Sequence, residues 1–157
     1  MSQTTAEKIP AVIVRPAEPD DAERGLLKVL DQISATGVAE LSPERARTLI
    51  AEMAARGVEH VWVAVRDGRV VGAATLIVER KLIHGGGRAG RIEDVVVDQR
   101  LRQRGIGRLL IERLCELAAE LGCYKIVLCC DASNMGFYER CGFRPHEVGM
   151  RKDLPRS

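Results

Sequence analysis

A chain of 157 residues is long enough to bury a core without disulfide or metal staples, and 46% hydrophobic with 29% charged residues is the balance of one folded globular domain. A net charge of +2 and an aromatic content of 3% argue against a nucleic-acid surface, and no run approaches the roughly 18 apolar residues of a membrane span. Five cysteines without paired spacing and three scattered histidines (His60, His84, His146) argue against a disulfide framework or a metal centre and for a reducing, cytoplasmic setting.

Residues 1–10 are polar, lack the basic-then-apolar profile of a secretory leader, and are expected to fray. Residues 11–154 are expected to form a single domain. "AVIVR" at 11–15 predicts a short strand, and "PAEPDDAERGLLKVLDQI" a helix carrying Leu26, Leu27, Leu30 and Ile33 at helical spacing. "SPERARTLIAEMAARG" predicts a capped helix with Ser42 as N-cap, Pro43 in the first turn and Gly57 as the stop. "HVWVAVRDGRVVGAATLIVERKLI" reads as a hairpin closed at Asp67-Gly68, and "HGGGRAGR" as a loop before the strand "IEDVVV". A helix with a stripe of Leu109, Leu110, Leu114, Leu117 and Leu121 follows. Next come a strand "YKIVLCC", a short helix "NMGFYERCG" and a final strand region "FRPHEVGMRKDL". The pattern is α+β, a mixed sheet flanked by helices.

The stretch "RIEDVVVDQRLRQRGIGRLL" combines arginines with glycines where a strand hands over to a helix. Glycines at 105 and 107 let the backbone approach a ligand, and the helix start offers free N–H groups and a positive dipole end. With Arg102 and Arg104 alongside, the residues suit a phosphate or pyrophosphate; a tight turn with solvated arginines is the structural alternative. A dinucleotide loop fits less well, because "GIGRLL" has no third glycine and six polar or charged residues separate it from the strand.

"RQRGIG" is similar to the Q/R-x-x-G-x-G/A motif of the GNAT superfamily of acyl-CoA-dependent N-acetyltransferases. "ERKLIH", "RIEDVVV", "GCYKIVL" and "NMGFYERCGF" resemble, in order and spacing, the eukaryotic-type glucosamine-6-phosphate N-acetyltransferases, over roughly residues 11 to 152. The resemblance implies a GNAT fold: a mixed, mostly antiparallel sheet with a V-shaped opening between central strands for acetyl-CoA. It implies that the backbone of Val95, Val96 and Val97 lines the acetyl-pantetheine arm. The pyrophosphate would fall to residues 103–108 (Gln103, Arg104, Gly105, Ile106, Gly107, Arg108). Asn134 would hold the CoA arm, and Tyr138 would face the departing sulfur. Ser34 (in "LDQISATG"), Lys81, His84, Glu93, Asp94, Tyr124 and Lys125 match positions that contact the phosphosugar. Acetyl transfer to the 2-amino group of glucosamine 6-phosphate is implied, without a metal, in a homodimer whose sugar site lies at the interface.

The residues themselves leave structural roles open. Lys81 and Lys125 suit a phosphate but equally a solvated surface. Glu93 and Asp94 are adjacent in a strand and are expected on opposite faces. Tyr138 can donate to a thiolate or simply pack. One position departs from the pattern: Cys129 stands where the family carries Asp or Glu to orient or deprotonate the amine. Glu93, directly or through water, or Asp131 is expected to take over that role. Cys129 itself is expected to be half-buried and to have no activating histidine. Two further functions are compatible with the sequence: a GNAT enzyme acting on another amine, and a non-catalytic acetyl-CoA sensor.

Overall fold

The computed structural model describes residues 11–33 and 40–155, so Ser34 lies outside the described residues. A five-stranded sheet runs in the order β1 (Ile13–Pro16), β2 (Glu59–Arg66), β3 (Arg69–Arg80), β4 (Arg88–Val97), β5 (Cys123–Leu128). The first four strands pair antiparallel and β4–β5 pairs parallel. Helices α1 (Leu26–Leu30) and α2 (Pro43–Arg56) pack on one side with a core of Leu26, Val29, Ala46, Ile50, Val63 and Val96. Helix α3 (Ile106–Glu120) carries the other core, where Leu110, Ile111 and Leu114 meet Trp62, Leu76 and Ile92.

Local chemistry sets several boundaries as expected. Ser42 Oγ accepts from Arg45 N–H at 3.2 Å, Pro43 opens α2, and Gly57 at φ 64° closes it. Asp67 (φ 50°) and Gly68 (φ 72°) make the left-handed pair of a tight hairpin. The helix expected across residues 16–33 is broken instead. Gly25 at φ 119° separates a 3-10 turn, Pro19–Ala22, from the single turn and a half of α1. That short turn holds a buried charge: Asp21 accepts from Arg15 Nη1 and Nη2 at 2.7 and 2.9 Å and from Glu18 N–H at 2.7 Å. Burial pushes the Asp21 carboxyl up, but the Arg15 hydrogen bonds, the Glu18 amide and the nearby guanidinium charges together hold it below its ordinary value.

Three further expectations need correction. Arg88, Ala89, Gly90 and Arg91, read as loop, start β4, because Arg88 pairs with Arg80 and Arg91 with Ile77, extending the ladder of β3. Leu109 is 41% exposed; the helical angle brings Ile106, Ile111 and Ala118 into the stripe with Leu110 and Leu114. Residues 143–155 form no strand, since none of the described strands pairs with them, and Val148, Met150 and Leu154 stay exposed.

Candidate active site

Strand β4 contains one residue too many for its partner. Thr75 pairs with Glu93 and Ala73 with Val96, so Ala74 alone opposes Asp94 and Val95. Asp94 absorbs the extra step with φ 52°, a left-handed conformation at a non-glycine residue. The bulge inverts the strand's alternation. Ile92 packs on the α3 side and Val96 on the α1 side, although residues four apart in a regular strand share a face. Glu93 and Asp94 are both exposed, so neither side chain is held in the core.

The bulge also marks where the sheet opens. The last β4–β5 pair is Ile92↔Leu128, after which β5 ends and β4 runs on to Val97 against β3 alone. Past this point the β5-side backbone groups of residues 93–97 line an opening instead of a ladder. Glu93 and Cys129 each follow directly on that last pair in sequence, Glu93 within β4 and Cys129 just past the end of β5.

Below β4 lies the arginine- and glycine-rich loop. Asp98, buried, anchors its base: its N–H donates to Val71 O at 2.8 Å, and its carboxylate accepts from Arg100 N–H (3.0 Å), Nε (3.2 Å) and Nη2 (2.9 Å). The Arg100 side-chain and backbone hydrogen bonds keep this carboxyl below its ordinary value. Gln103 (φ 63°) and Gly105 (φ 80°) then turn the chain into α3, which starts with neither a side-chain cap nor an acidic residue in its first turn. Its first amides are thus free for an anion.

The two glycines serve different ends. A Cβ at Gly105 would meet nothing within 4 Å, so this glycine supplies the left-handed turn and leaves open space above the helix start. A Cβ at Gly107 would sit 3.3 Å from Phe137 Cζ and 3.5 Å from Val97 Cγ2. Gly107 thus seats α3 against β4 and the short helix α4 (Met135–Arg140), a packing role that its side chain's absence serves while its backbone N–H stays at the helix start. Arg102 Nε is 3.4 Å from Val97 O and Arg108 Nε 2.6 Å from Glu112, while Arg104 is exposed and has no ion-pair partner among the described residues.

A cavity of about 770 Å³ flanks β5 and brings together Lys81, Tyr124, Lys125, Cys129 and Tyr138. His84 joins through its ring, 4.3 Å from that of Tyr124, and Lys125 Nζ lies 5.8 Å from the same ring. Glu93, Asp94, Asn134, Val95 and residues 103–108 do not line it. Sequence reasoning missed five of its charged residues, Glu79, Arg91, Glu139, Arg144 and Glu147, of which the first two form a charged group with Lys81. Lys81 Nζ donates to Glu79 at 2.7 Å and Arg91 Nε lies 3.5 Å from the same carboxylate. The Lys81 hydrogen bond, with both positive charges, holds the Glu79 carboxyl below its ordinary value. Period-2 alternation along β3 and β4, given the hairpin register, would have placed 79, 81 and 91 on one face.

Tyr138 is half-buried on α4, its ring edge-on to Phe137 (4.9 Å) and Phe143 (6.1 Å). Burial, reinforced by Cys130 and Cys141 nearby, raises its phenol above the ordinary value, which keeps the O–H protonated and able to donate. Cys129 is exposed, not half-buried, because β5 has already ended at Leu128; a Cβ on Gly149 would lie 3.4 Å from its Sγ. Among the described residues no cluster of histidine, cysteine or carboxylate could hold a metal, and no helix is long and apolar enough to cross a membrane.

Known proteins share this architecture and much of this sequence. The model of the acetyltransferase (GNAT) family matches residues 27–143. Glucosamine 6-phosphate N-acetyltransferase 1 of Oryza sativa subsp. japonica is 41% identical over 140 residues, covering 87% of this chain and 84% of the rice protein. The glucosamine 6-phosphate N-acetyltransferase of Trypanosoma brucei brucei is 45% identical over 107 residues, covering 67% and 73%. The crystal structure of the Arabidopsis thaliana glucosamine-6-phosphate N-acetyltransferase superposes with a TM-score of 0.87 at 30% identity, covering 92% of this chain and 99% of that one. The open sheet, the uncapped helix start and these relatives agree: the chain belongs to the GNAT acetyltransferase family, among the glucosamine 6-phosphate N-acetyltransferases.

Proposed function

We propose that the chain transfers an acetyl group from acetyl-CoA to the 2-amino group of D-glucosamine 6-phosphate, giving N-acetylglucosamine 6-phosphate and CoA by direct attack in a ternary complex. The observation that carries this is the end of β4–β5 pairing at Ile92↔Leu128 in a fold that also offers an uncapped, arginine-flanked helix start after β4 and a lysine-bearing cavity along β5. The residues present fit a CoA thioester, since the space above Gly105 is open and the first amides of α3 are free. Acetyl-CoA supplies the activated acyl group. The amides at the start of α3, with Arg104, hold the pyrophosphate, Asn134 holds the arm, and the free edge of Val95, Val96 and Val97 aligns the thioester and polarises its carbonyl.

Lys81 and Lys125, with His84 packed at a tilt against Tyr124, hold the sugar phosphate, while Glu79 keeps Lys81 in place. Each charge-assisted contact contributes about 1.5–3 kcal/mol. Glu93, directly or through a water, takes the amine proton in the absence of an acid at 129, and Asp94 orients the amine beside it. Tyr138 donates its phenol proton or a hydrogen bond to the departing thiolate. Leu82 (100% exposed) and Ile83 (64%) beside Lys81, and Val148, Met150 and Leu154 on the tail, are uncovered apolar side chains that support pairing of two copies around the sugar site.

The test is release of CoA thiol from acetyl-CoA with glucosamine 6-phosphate, glucosamine and a peptide pool as parallel acceptors. Release with the phosphosugar alone is expected. Release with glucosamine at the same efficiency would move the chain to another amine and remove the phosphate role of Lys81 and Lys125. The cysteine in place of an acid at 129 leaves one second reading, an acetyl-CoA sensor, which predicts binding without release for any acceptor.

A further inference from the structure

The 3-10 turn Gln99–Leu101 carries β4 into the anion loop, and its first amide has no partner within the turn. Leu101 N–H donates to Asp98 O at 2.8 Å and Arg100 N–H to Asp98 Oδ1 at 3.0 Å, which closes the rest from inside. Gln99 N–H instead donates to Gln32 Oε1 at 2.9 Å, a contact across 67 residues of sequence. Gln32 stands on a fixed platform: its own N–H donates to Val29 O at 3.1 Å, extending α1, and Val29 is buried at 2% exposure. The acceptor thus arrives from the α1 layer at the base of a loop that must hold two left-handed residues, Gln103 and Gly105, a few positions on.

We infer that Gln32 is a positioning residue for the anion loop: its amide oxygen fixes the first turn of that loop and thereby the geometry in which the amides of α3 meet the CoA pyrophosphate. The inference rests on the reading that this loop takes CoA. A side chain that pre-orders a loop lowers the conformational cost of binding without touching the reacting atoms, so its effect belongs in cofactor affinity and not in turnover.

Gln32→Ala and Gln32→Glu in the full chain test this through four readouts. These are CoA affinity by calorimetry, kcat and KM for both substrates, amide exchange at Gln99 by NMR, and the thermal midpoint. The alanine variant is expected to raise the CoA Kd and the KM for acetyl-CoA about three- to tenfold, the span of one lost hydrogen bond, with kcat and the sugar KM within about twofold. Exchange at Gln99 should quicken. The glutamate variant keeps an acceptor oxygen and should restore both affinity and protection, although its charge opposes an anion. Parent-like CoA affinity in the alanine variant overturns the inference. Equal losses in both variants overturn it too, because glutamate keeps both the length of the side chain and an acceptor oxygen, so the acceptor would not be what orders the loop. A parent protein that binds no CoA removes the reading of the loop and this inference with it; faster Gln99 exchange alone would then leave Gln32 a purely structural contact.

Discussion

Replacing Tyr138 by phenylalanine isolates the leaving-group role. The substitution deletes one hydroxyl and keeps the ring, so the edge contacts with Phe137 at 4.9 Å and Phe143 at 6.1 Å survive. The end of α4 is also untouched, because Cys141 N–H and Phe143 N–H donate to the backbone oxygen of residue 138 at 2.9 and 3.0 Å. Stability should therefore change by less than about 1 kcal/mol. The effect on turnover follows from what the hydroxyl does. A thiol of pKa near 8.5 leaves readily, so full general-acid assistance of about 10²–10⁴ is not required. A hydrogen bond to a developing thiolate contributes about 1.5–3 kcal/mol, hence a fall in kcat of about ten- to a hundredfold.

The assay is initial-rate thiol release at saturating phosphosugar, with the KM for acetyl-CoA expected to stay within about threefold because the contact is made in the transition state. Since burial holds the Tyr138 phenol above its ordinary value near 10, the parent should show no loss of activity from this group below that pH. Unchanged kcat in the variant would refute the role. A fall in kcat accompanied by an equal fall in stability would instead assign Tyr138 to packing.

Other perturbations test other parts of the argument. Asp21→Ala should cost about 3 kcal/mol in urea unfolding at pH 7, the low end for a broken buried pair because Arg15 keeps 26% of its side chain exposed. The Asp21 carboxyl is depressed in the fold, so its contribution is present above the unfolded pKa of about 3.9 and is lost as pH falls through the folded value. The gap between parent and variant should shrink in acid, and a constant gap would contradict the ion-pair account. Gly72→Ala places a Cβ 3.1 Å from Leu110 Cδ1 and 3.2 Å from the Val96 carbonyl, which cannot yield, and should cost about 1–3 kcal/mol in the same assay. Cys129→Asp should raise kcat/KM at pH 7 by no more than about tenfold, with the gain gone above about pH 8, where an amine of that pKa is largely free base.

Local chemistry made much of the fold legible. Ser42-Pro43 and Gly57 bound α2 because a cap, a missing N–H and a left-handed stop each act within one turn, and Asp67-Gly68 closes its hairpin for the same reason. The bulge at Asp94 was not legible. "IEDVVV" satisfies a regular strand equally well, and only the pairing with Ala73 and Thr75 forces an extra residue. The tail was misread because alternation alone predicts a strand without asking which edge would pair with it. At the site, the loop and the lysines were visible as residue types. The partners that organise them, Asp98 for the loop and Glu79 for Lys81, are tertiary facts: each carboxylate reads as ordinary surface charge until burial and a neighbour are known.

Position 129 shows how little of the proposed reaction depends on a dedicated base. An amine of pKa about 8 is roughly one-tenth free base at pH 7, so supplying the neutral nucleophile costs only about 1.4 kcal/mol. Positioning two reactants in one opening is worth about 7–11 kcal/mol, several times more. The elements proposed to position the reactants are ones the fold constructs firmly: the bulged end of β4 past its last pair with β5, the buried Asp98 that anchors the loop, and the packed ring of Tyr138. Glu93, proposed as the proton acceptor, follows the last β4–β5 pair on β4 and is exposed, so a carboxylate remains on the β4 side although the position after β5 supplies none. The exchange of acid for thiol at 129 therefore bears on the pH dependence of the rate far more than on its maximum.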